Sequence, residues 1–403
     1  MSPTQLFDTF LQESLEKRRA AGLERKLLLT DDLIDFSSND YLGFAQNPSF
    51  EAATVTSQMT YGSTGSRLIS GNSLLAEQTE KNIATFHNAE AALIFNTGYM
   101  ANVGLFSSIG DKNSYFIYDE YIHASVHDGM RLSLAQRVKF KHNDVNDLAK
   151  KLESVIARDD SNCEERSRTE EVKKYVAVES LYSMDGDFAP LVEIAAICQK
   201  YNVALIVDEA HATGIYGEKG EGLVTQMGLE SAVWARVHTF GKALGVHGAA
   251  VIGSSLLRQF LINHARSFIF TTALPPQAYQ YIQHAYDLLP HADRTKLFEL
   301  IDYFIKKSSS CTNLKGHFLI NPASPIQGIG LADNQEVVSL ARHLSQNGIF
   351  AKAILSPTVP KGAERIRICL HSTHTFAQID QLFAAVNSFF CHSEENQRLN
   401  GVV

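Results

Sequence analysis

The chain has 403 residues, 45% of them hydrophobic and 20% charged, and its formal net charge is −8. This length and composition indicate a globular protein of two or three domains, and the negative charge without a basic stripe argues against nucleic-acid binding. Five scattered cysteines without a CxxC pair, no apolar signal region and no apolar run of about 18 residues predict a soluble, cytoplasmic protein without structural zinc or a membrane span.

The first 50 residues predict a helical arm followed by short strands. Residues 3–25 have their apolar side chains on one helical face and end in a cluster of basic residues. Residues 26–29 and 33–37 predict two short strands, and residues 38–43 a turn. We expect such an arm to pack on its own subunit or on a neighbouring one.

From about residue 74 to 272, helical patterns alternate with short apolar runs, which predicts a mostly parallel sheet covered by helices on both faces. Ligands of such sheets bind at the carboxyl ends of the strands. The predicted helices are 74–87, 99–108, 123–134, 144–157, 191–201 and 255–266. The predicted strands are 91–95, 115–118, 138–141, 175–178, 203–207, 236–240 and 268–270.

The pattern changes after Pro275 and Pro276, where a long helical stretch begins. The predicted elements are a helix over 277–309, strands near 317–331, a helix over 335–347, strands over 350–355 and 365–370, and a final helix over 376–390. We therefore predict an α/β protein with three parts: an N-terminal arm (1–50), a large α/β domain (51–280) and a smaller α+β C-terminal domain (281–403).

Lys242 lies just past a predicted strand, between Gly241 and Gly245. An amine in that position can be approached closely by a flat ligand. Burial there would lower its pKa, and a neutral amine can attack a carbonyl to form a Schiff base. A lysine in a surface loop is the alternative for this residue taken alone.

Asp208 closes an apolar predicted strand, and His211 follows three residues later. A carboxylate at the edge of a buried sheet needs a cationic or hydrogen-bonding partner. The pair supplies two metal ligands at most and no third is evident, so we predict no metal site. A turn-capping role for Asp208 is the alternative.

Two further segments also follow predicted strands. Gly98 and Tyr99, preceded by Thr97, begin a helix whose free backbone N–H groups suit a phosphate, although neither a Walker motif nor a dinucleotide fingerprint is present. His123 follows the next strand, where a helix cap or a core histidine is the alternative. Together with Lys242 and Asp208, these residues match the needs of pyridoxal 5′-phosphate: an amine for its aldehyde, a carboxylate for its pyridinium nitrogen, a flat group over its ring and donors for its phosphate.

Five motifs make the chain resemble the α-oxoamine synthases, which are fold-type-I pyridoxal-phosphate enzymes that condense an amino acid with an acyl-CoA. In chain order they cover residues 39–43, 62–71, 183–187, 208–214 and 239–242. The resemblance extends over nearly the whole chain, from about residue 15 to 388. It is strongest to the biotin-pathway member, which implies L-alanine and pimeloyl-CoA as substrates.

The resemblance assigns a role to each candidate residue. Lys242 is expected to bond to the cofactor and to remove the α-proton, and Asp208 to pair with the pyridinium nitrogen. His211 and Ser183 are expected at the phenolic oxygen, while His123 stacks on the ring above a floor that includes Glu179. The phosphate is expected to bind to Gly98, Tyr99 and Thr239, joined by Thr272 of a partner subunit, which implies a homodimer with a shared active site.

Two arginines are implied as substrate anchors. Arg367 matches the carboxylate-binding arginine of the family, and the motif alignment selects it over Arg365, which shares its face of the predicted strand. Arg25 is the candidate in the N-terminal arm, with Arg18 and Arg19 as competitors.

The expected reaction is a decarboxylative condensation that releases CoA and CO2. Rival interpretations with the same chemistry are the family members that use glycine or serine and other acyl chains. An aminotransferase on the same fold would not consume a thioester. A non-catalytic subunit is disfavoured by the presence of Lys242, and a nicotinamide oxidoreductase by the missing dinucleotide fingerprint.

Overall fold

The structure is a computed structural model that describes residues 3–52, 60–161, 172–311, 317–321 and 323–399. Contacts divide the chain into two compact units. The large unit is Asn39–Arg294, and the small unit combines Met1–Ser38 with Thr295–Val403. The three-part division drawn from the sequence stays a prediction.

The helices and strands follow one another along the described ranges as in an α/β protein. The helices are α1 (Pro3–Ala20), α2 (Ser49–Ala52), α3 (Leu74–Phe86), α4 (Gly98–Ile109), α5 (Ala124–Leu132), α6 (Val145–Ser161), α7 (Leu191–Lys200), α8 (Leu223–Gln226), α9 (Ser255–His264), α10 (Arg266–Ile269), α11 (Pro276–Leu288), α12 (Arg294–Ser310), α13 (Asn334–Gln346) and α14 (Phe376–Leu399). The strands are β1 (Ile34–Asp35), β2 (Ala91–Phe95), β3 (Ser114–Asp119), β4 (Gln136–Phe140), β5 (Lys173–Glu179), β6 (Ala204–Asp208), β7 (Ala235–Thr239), β8 (Ala249–Gly253), β9 (Phe318–Leu319), β10 (Ile326–Gly330), β11 (Ile349–Phe350), β12 (Lys352–Ile354) and β13 (Arg365–Cys369).

The large unit is built on a seven-stranded sheet in the order β2-β8-β7-β6-β5-β3-β4. Strands β4, β3, β5, β6 and β7 run parallel, while β8 pairs antiparallel with both β7 and β2. The central strands are buried almost throughout, which explains why β6 reads as a continuous apolar run up to Asp208. The parallel strands therefore deliver the residues that follow them to one edge of the sheet.

One cluster of apolar side chains beside this sheet comes from the strands and from the helices that cover them. Phe95, Phe106 and Phe116 are among its fully buried members. Helix α4 packs Ala101 and Leu105 into the cluster, so its N-terminus is held at the carboxyl edge of the sheet.

The small unit contains a four-stranded antiparallel sheet in the order β12-β13-β10-β9, and β1 pairs in parallel with β11. The amphipathic helices α12 and α13 contribute buried leucines to this unit. Within the described residues, no helix is both long and apolar enough to cross a membrane. The predicted fold class, a mostly parallel α/β domain with a smaller α+β domain, is confirmed.

Several local predictions were wrong for identifiable reasons. Residues 26–29 form no strand, and Leu27 and Leu29 are exposed rather than packed. Helix α1 ends at Ala20 because Gly22 adopts φ +67° and closes the helix end through N–H donation to the carbonyl of Arg19.

Two more differences concern helices. Residues 266–269 form α10 rather than a strand, since a short apolar run such as the one around Phe268 does not distinguish a buried strand from a helical turn. The long predicted helix 277–309 is divided into α11 and α12 by a 3-10 turn, Leu289–His291, where Pro290 cannot continue an α-helix.

Candidate active site

A cavity of about 340 Å³ opens at the carboxyl ends of the central strands of the large unit. Its volume lies in the range of small-molecule sites. The lining includes eight of the ten residues predicted to bind the cofactor: Gly98, Tyr99, His123, Glu179, Asp208, His211, Thr239 and Lys242. The sheet therefore brings side chains from five separate segments to one cavity.

Lys242 lies in a tight loop after β7. Its carbonyl accepts a hydrogen bond from the N–H of Gly245 at 2.9 Å, and the carbonyl of Phe240 accepts one from the N–H of Val246 at 3.0 Å. Gly245 has φ +65°, and a Cβ there would overlap the backbone at Ala45, so this turn requires glycine. The half-buried Lys242 side chain thus lies on a backbone that is fixed on both sides.

Asp208 ends β6 and is 7% exposed. Its Oδ1 accepts a hydrogen bond from the N–H of Ala210 at 2.9 Å, and its Oδ2 accepts one from Nδ2 of Asn102 at 2.8 Å. Two donors orient the carboxylate without neutralising it. A buried carboxylate held in this way can pair with a cationic ring nitrogen.

His211 is buried on the same wall, and its Nδ1 lies 2.7 Å from the hydroxyl of Tyr41. Tyr41 is itself fully buried and belongs to residues 39–43, the first of the five motifs that carry the family resemblance. The contact fixes the orientation of the imidazole ring.

The N-terminus of α4 forms a second wall. Thr97 is its N-cap and accepts a hydrogen bond from the N–H of Met100 at 3.2 Å. A Cβ added to Gly98 would overlap Cγ2 of Thr239, so glycine allows the turn to lie against β7. Free N–H groups and the positive end of a twelve-residue helix favour an anion such as phosphate here.

His123 is the N-cap of α5, the helix that follows β3. Its Nδ1 accepts a hydrogen bond from the N–H of Ser125 at 3.2 Å and lies 2.7 Å from the Ser125 hydroxyl. Burial is the main influence on His123 and lowers its pKa. The negative charge of Asp208 would raise the pKa, but the positive charge of Lys242 opposes that effect. A neutral ring suits stacking on an aromatic cofactor.

Glu179 ends β5 directly beside Asp208 in the sheet register and is 3% exposed. Burial and then repulsion from Asp208 raise its pKa well above the ordinary value, which favours the uncharged carboxyl. It accepts a hydrogen bond from the backbone N–H of His123. Its Oε1 has no hydrogen-bond partner among the residues that the structure describes.

The remaining predicted residues do not line this cavity. Ser183 is half-buried in the loop after β5. Thr272 is exposed, and its carbonyl accepts a hydrogen bond from Nδ2 of Asn96, two residues before Gly98. Their proposed contacts with the cofactor stay predictions.

The two predicted substrate arginines belong to the small unit. Arg367 lies on β13 between Gly328 and Lys352 of the neighbouring strands and is buried. Arg25 follows α1 and is exposed. Of its competitors in the arm, Arg18 donates to the carbonyl of Leu23, and Arg19 forms an ion pair with Glu24 at 2.6 Å.

The sequence interpretation missed Asn102 and Ser125, both of which line the cavity. Asn102 lies one helical turn after Gly98, and Ser125 lies two residues after His123. Helical periodicity could have placed Asn102 on the same side of α4 as the phosphate turn. The hydrogen bonds that join these two residues span separate elements and have no local sequence signal.

These residues fit pyridoxal 5′-phosphate. Lys242 offers an amine, Asp208 a carboxylate and the Gly98 turn a set of N–H donors, all around one cavity. Among the described residues, no group of three His, Cys, Asp or Glu side chains is arranged to hold a metal ion.

Comparison with known proteins gives the family. The model of the family described as aminotransferase class I and II matches residues 31–386. The chain belongs to this family. Within it, an 8-amino-7-oxononanoate synthase of Emericella nidulans is 40% identical over an alignment of 418 positions, which includes 98% of each chain.

Solved structures of the aminotransferase class I and II family have the same fold. A serine palmitoyltransferase from S. paucimobilis with bound pyridoxal phosphate has a TM-score of 0.83 at 26% identity and covers 100% of both chains. An 8-amino-7-oxononanoate synthase from Francisella tularensis has a TM-score of 0.74 at 27% identity and covers 91% of this chain and 99% of the other. Both are α-oxoamine synthases, so the resemblance seen in the sequence, the fold type and the dependence on pyridoxal phosphate are confirmed.

Proposed function

We propose that this protein is an 8-amino-7-oxononanoate synthase that condenses L-alanine with pimeloyl-CoA in biotin biosynthesis. The observation that carries the proposal is the 40% identity over 98% of the chain to an enzyme of that name, together with a cavity that gathers Lys242, Asp208 and His123. The substrates are small molecules, and the enzyme is an acyltransferase that forms a carbon–carbon bond.

The overall reaction balances without an external oxidant or reductant. The α-carbon of alanine forms a bond to the thioester carbonyl carbon, and the C–S bond breaks to release CoA. The bond from the α-carbon to the carboxylate then breaks to release CO2, and a proton takes its place. Pyridoxal phosphate, when bound, supplies an electron sink that stabilises the negative charge on the α-carbon.

The residues of the chain bind, orient and move protons around that carbon. Lys242 Nζ holds the cofactor and is the base that takes the α-proton. With the cofactor bound, Asp208 would stabilise a positive charge at the ring nitrogen, His211 would bind the phenolic oxygen, and His123 would stack on the ring. Glu179, whose raised pKa favours the uncharged carboxyl beside Asp208, fixes the backbone of His123.

We propose Arg367 and Arg25 as the substrate anchors. A guanidinium forms two parallel hydrogen bonds with a carboxylate, and both the amino acid and the pimeloyl chain carry one. Arg25 is preferred over Arg18 and Arg19 because those two are engaged within the arm.

We also propose a homodimer that shares its active sites. Leu68, Ile69 and Phe270 are large apolar side chains with more than half of their surface exposed. Their segments adjoin, because the N–H of Ala273 donates to the carbonyl of Gly65 at 3.0 Å. Exposed apolar side chains on adjoining segments, next to Thr272, suit contact with a second copy of the chain. Light scattering should show a dimer for the wild type and for Leu134→Glu, and a monomer for Ile69→Glu.

We propose a reducing compartment, the cytoplasm, as its location. The support is that Cys198, Cys311 and Cys391 are free thiols.

The decisive experiment measures free thiol and CO2 after incubation of the holoenzyme with L-alanine and pimeloyl-CoA. Glycine, serine, acetyl-CoA and palmitoyl-CoA in the same assay test the alternatives, a 2-amino-3-ketobutyrate CoA ligase and a serine palmitoyltransferase. Release of keto acid without thiol would indicate an aminotransferase. Turnover by Lys242→Ala at the wild-type rate would exclude the proposed mechanism.

A further inference from the structure

Four side chains at the cavity form one chain of hydrogen bonds. Nδ2 of Asn102 donates to Oδ2 of Asp208 at 2.8 Å and to Oγ of Ser125 at 3.0 Å. Oγ of Ser125 lies 2.7 Å from Nδ1 of His123. Asn102 and Ser125 are at most 2% exposed, so water does not compete for these contacts.

The directions of these bonds determine which nitrogen of His123 carries the proton. The backbone N–H of Ser125 can only donate, and it points at Nδ1 from 3.2 Å. Since Oγ of Ser125 already accepts from Asn102, its own hydrogen is available for the same nitrogen. Nδ1 is therefore the acceptor of two donors, and the ring proton must lie on Nε2.

We propose that Asn102 and Ser125 are positioning residues that fix His123 as the Nε2–H tautomer and couple its ring to the carboxylate of Asp208. The proposal rests on the proposed function, because its consequence is that an N–H group, rather than a bare nitrogen, is presented to the reacting molecule. A proton on Nδ1 would face the Ser125 N–H and break the cap of α5.

Some charges around His123 favour the protonated ring and others oppose it. On its own helix, Asp128 favours the protonated ring, while the positive N-terminus of α5 opposes it. From the neighbouring elements, Asp208 favours and Lys242 opposes protonation, and Glu179, whose pKa is raised, contacts the backbone of His123. Burial is the largest influence and lowers the pKa of His123, in agreement with a ring that carries one proton.

The test is ¹⁵N NMR of the cofactor-free protein labelled at histidine, with the His123 signals assigned by their loss in His123→Asn. We expect a bare Nδ1 and a protonated Nε2 in the wild type. In Ser125→Ala only the longer backbone N–H contact remains at Nδ1, so part of the proton should move to that nitrogen and the titration midpoint of the ring should rise. Ser125→Thr, which keeps the hydroxyl, should restore the wild-type spectrum, and Ser108→Ala on α4 is the matched control.

Two further readouts separate positioning from a general structural defect. Asn102→Leu should reproduce the change at His123 and also weaken pyridoxal-phosphate binding, because Asp208 loses a donor. The kcat of Ser125→Ala should fall about tenfold, the effect of one lost hydrogen bond, and recover in Ser125→Thr. A wild-type proton on Nδ1, or an unchanged His123 spectrum in Ser125→Ala, would overturn the proposal. Absence of CoA release from every protein, with the NMR result as expected, would instead refute the proposed function and leave the tautomer assignment supported.

Discussion

His142 joins the loops that follow three strands of the large sheet, and its removal should destabilise the protein in a pH-dependent way. Its Nδ1 lies 2.8 Å from Asp119 and its Nε2 lies 2.7 Å from Asp187. Burial by itself would lower the pKa of His142, but the hydrogen bonds and charges of Asp119 and Asp187 outweigh it and raise the pKa from 6.5 to about 10. The ring is therefore an imidazolium at neutral pH.

The size and sign of the effect follow from this pKa. A pKa rise of that extent means that the folded protein stabilises the protonated ring over the neutral ring by at most roughly 5 kcal/mol. Solvent reaches 18% of His142 and 29% of Asp187, so screening reduces the contribution, and we expect about 2–3 kcal/mol. Because the folded pKa lies above the unfolded one, the stabilisation is complete below pH 6.5 and is lost as the pH rises towards 10.

Urea unfolding of the cofactor-free wild type and His142→Asn at pH 6, 8 and 9.5 measures this difference. The gap in the free energy of unfolding should be largest at pH 6 and shrink steadily towards pH 9.5. His264→Asn is the control, since that ring packs on Phe260 rather than between carboxylates. A gap that stays constant or widens with pH would refute the assignment of a charged His142.

Three further predictions concern the cavity. Asp208→Asn should weaken pyridoxal-phosphate binding and lower kcat by about 10²–10³, because the buried charge that we propose to face the ring nitrogen is lost; absorbance titration measures the binding, and affinity equal to wild type would contradict the prediction. Gly98→Ala should weaken cofactor binding at least tenfold through overlap with Thr239, and Thr239→Ser in the same chain should restore part of it; no recovery would argue against that overlap. Glu179→Gln should keep kcat within about threefold at pH 7, because burial and Asp208 already favour the uncharged carboxyl, whereas Glu179→Ala should lower it about tenfold by releasing the backbone of His123.

The sequence predicts the large unit well because its signals are local and strong. The strand before Asp208 is buried on both faces, so its five-residue apolar run and its end were readable without coordinates. The same rule brings Lys242, Asp208 and the Gly98 turn to one edge, since each follows a strand of the same sheet. Pro290, in contrast, breaks a periodic helical pattern that was interpreted as continuous.

The parts of the site that depend on contacts between distant segments were not predictable. Asn102 reaches Asp208 across 106 positions of the sequence, and Tyr41 reaches His211 across 170. No periodicity or spacing specifies which side chains meet over such separations. The raised pKa of Glu179 was not predictable either, because it comes from burial and from Asp208 on the neighbouring strand.

The central claim is that Lys242 is the residue that holds the cofactor. Borohydride reduction of the holoenzyme, followed by proteolysis and mass spectrometry, tests it directly. We expect the reduced cofactor to be attached to the peptide that contains Lys242, and to be absent from Lys242→Ala. Attachment to a different lysine in the wild type would contradict the account.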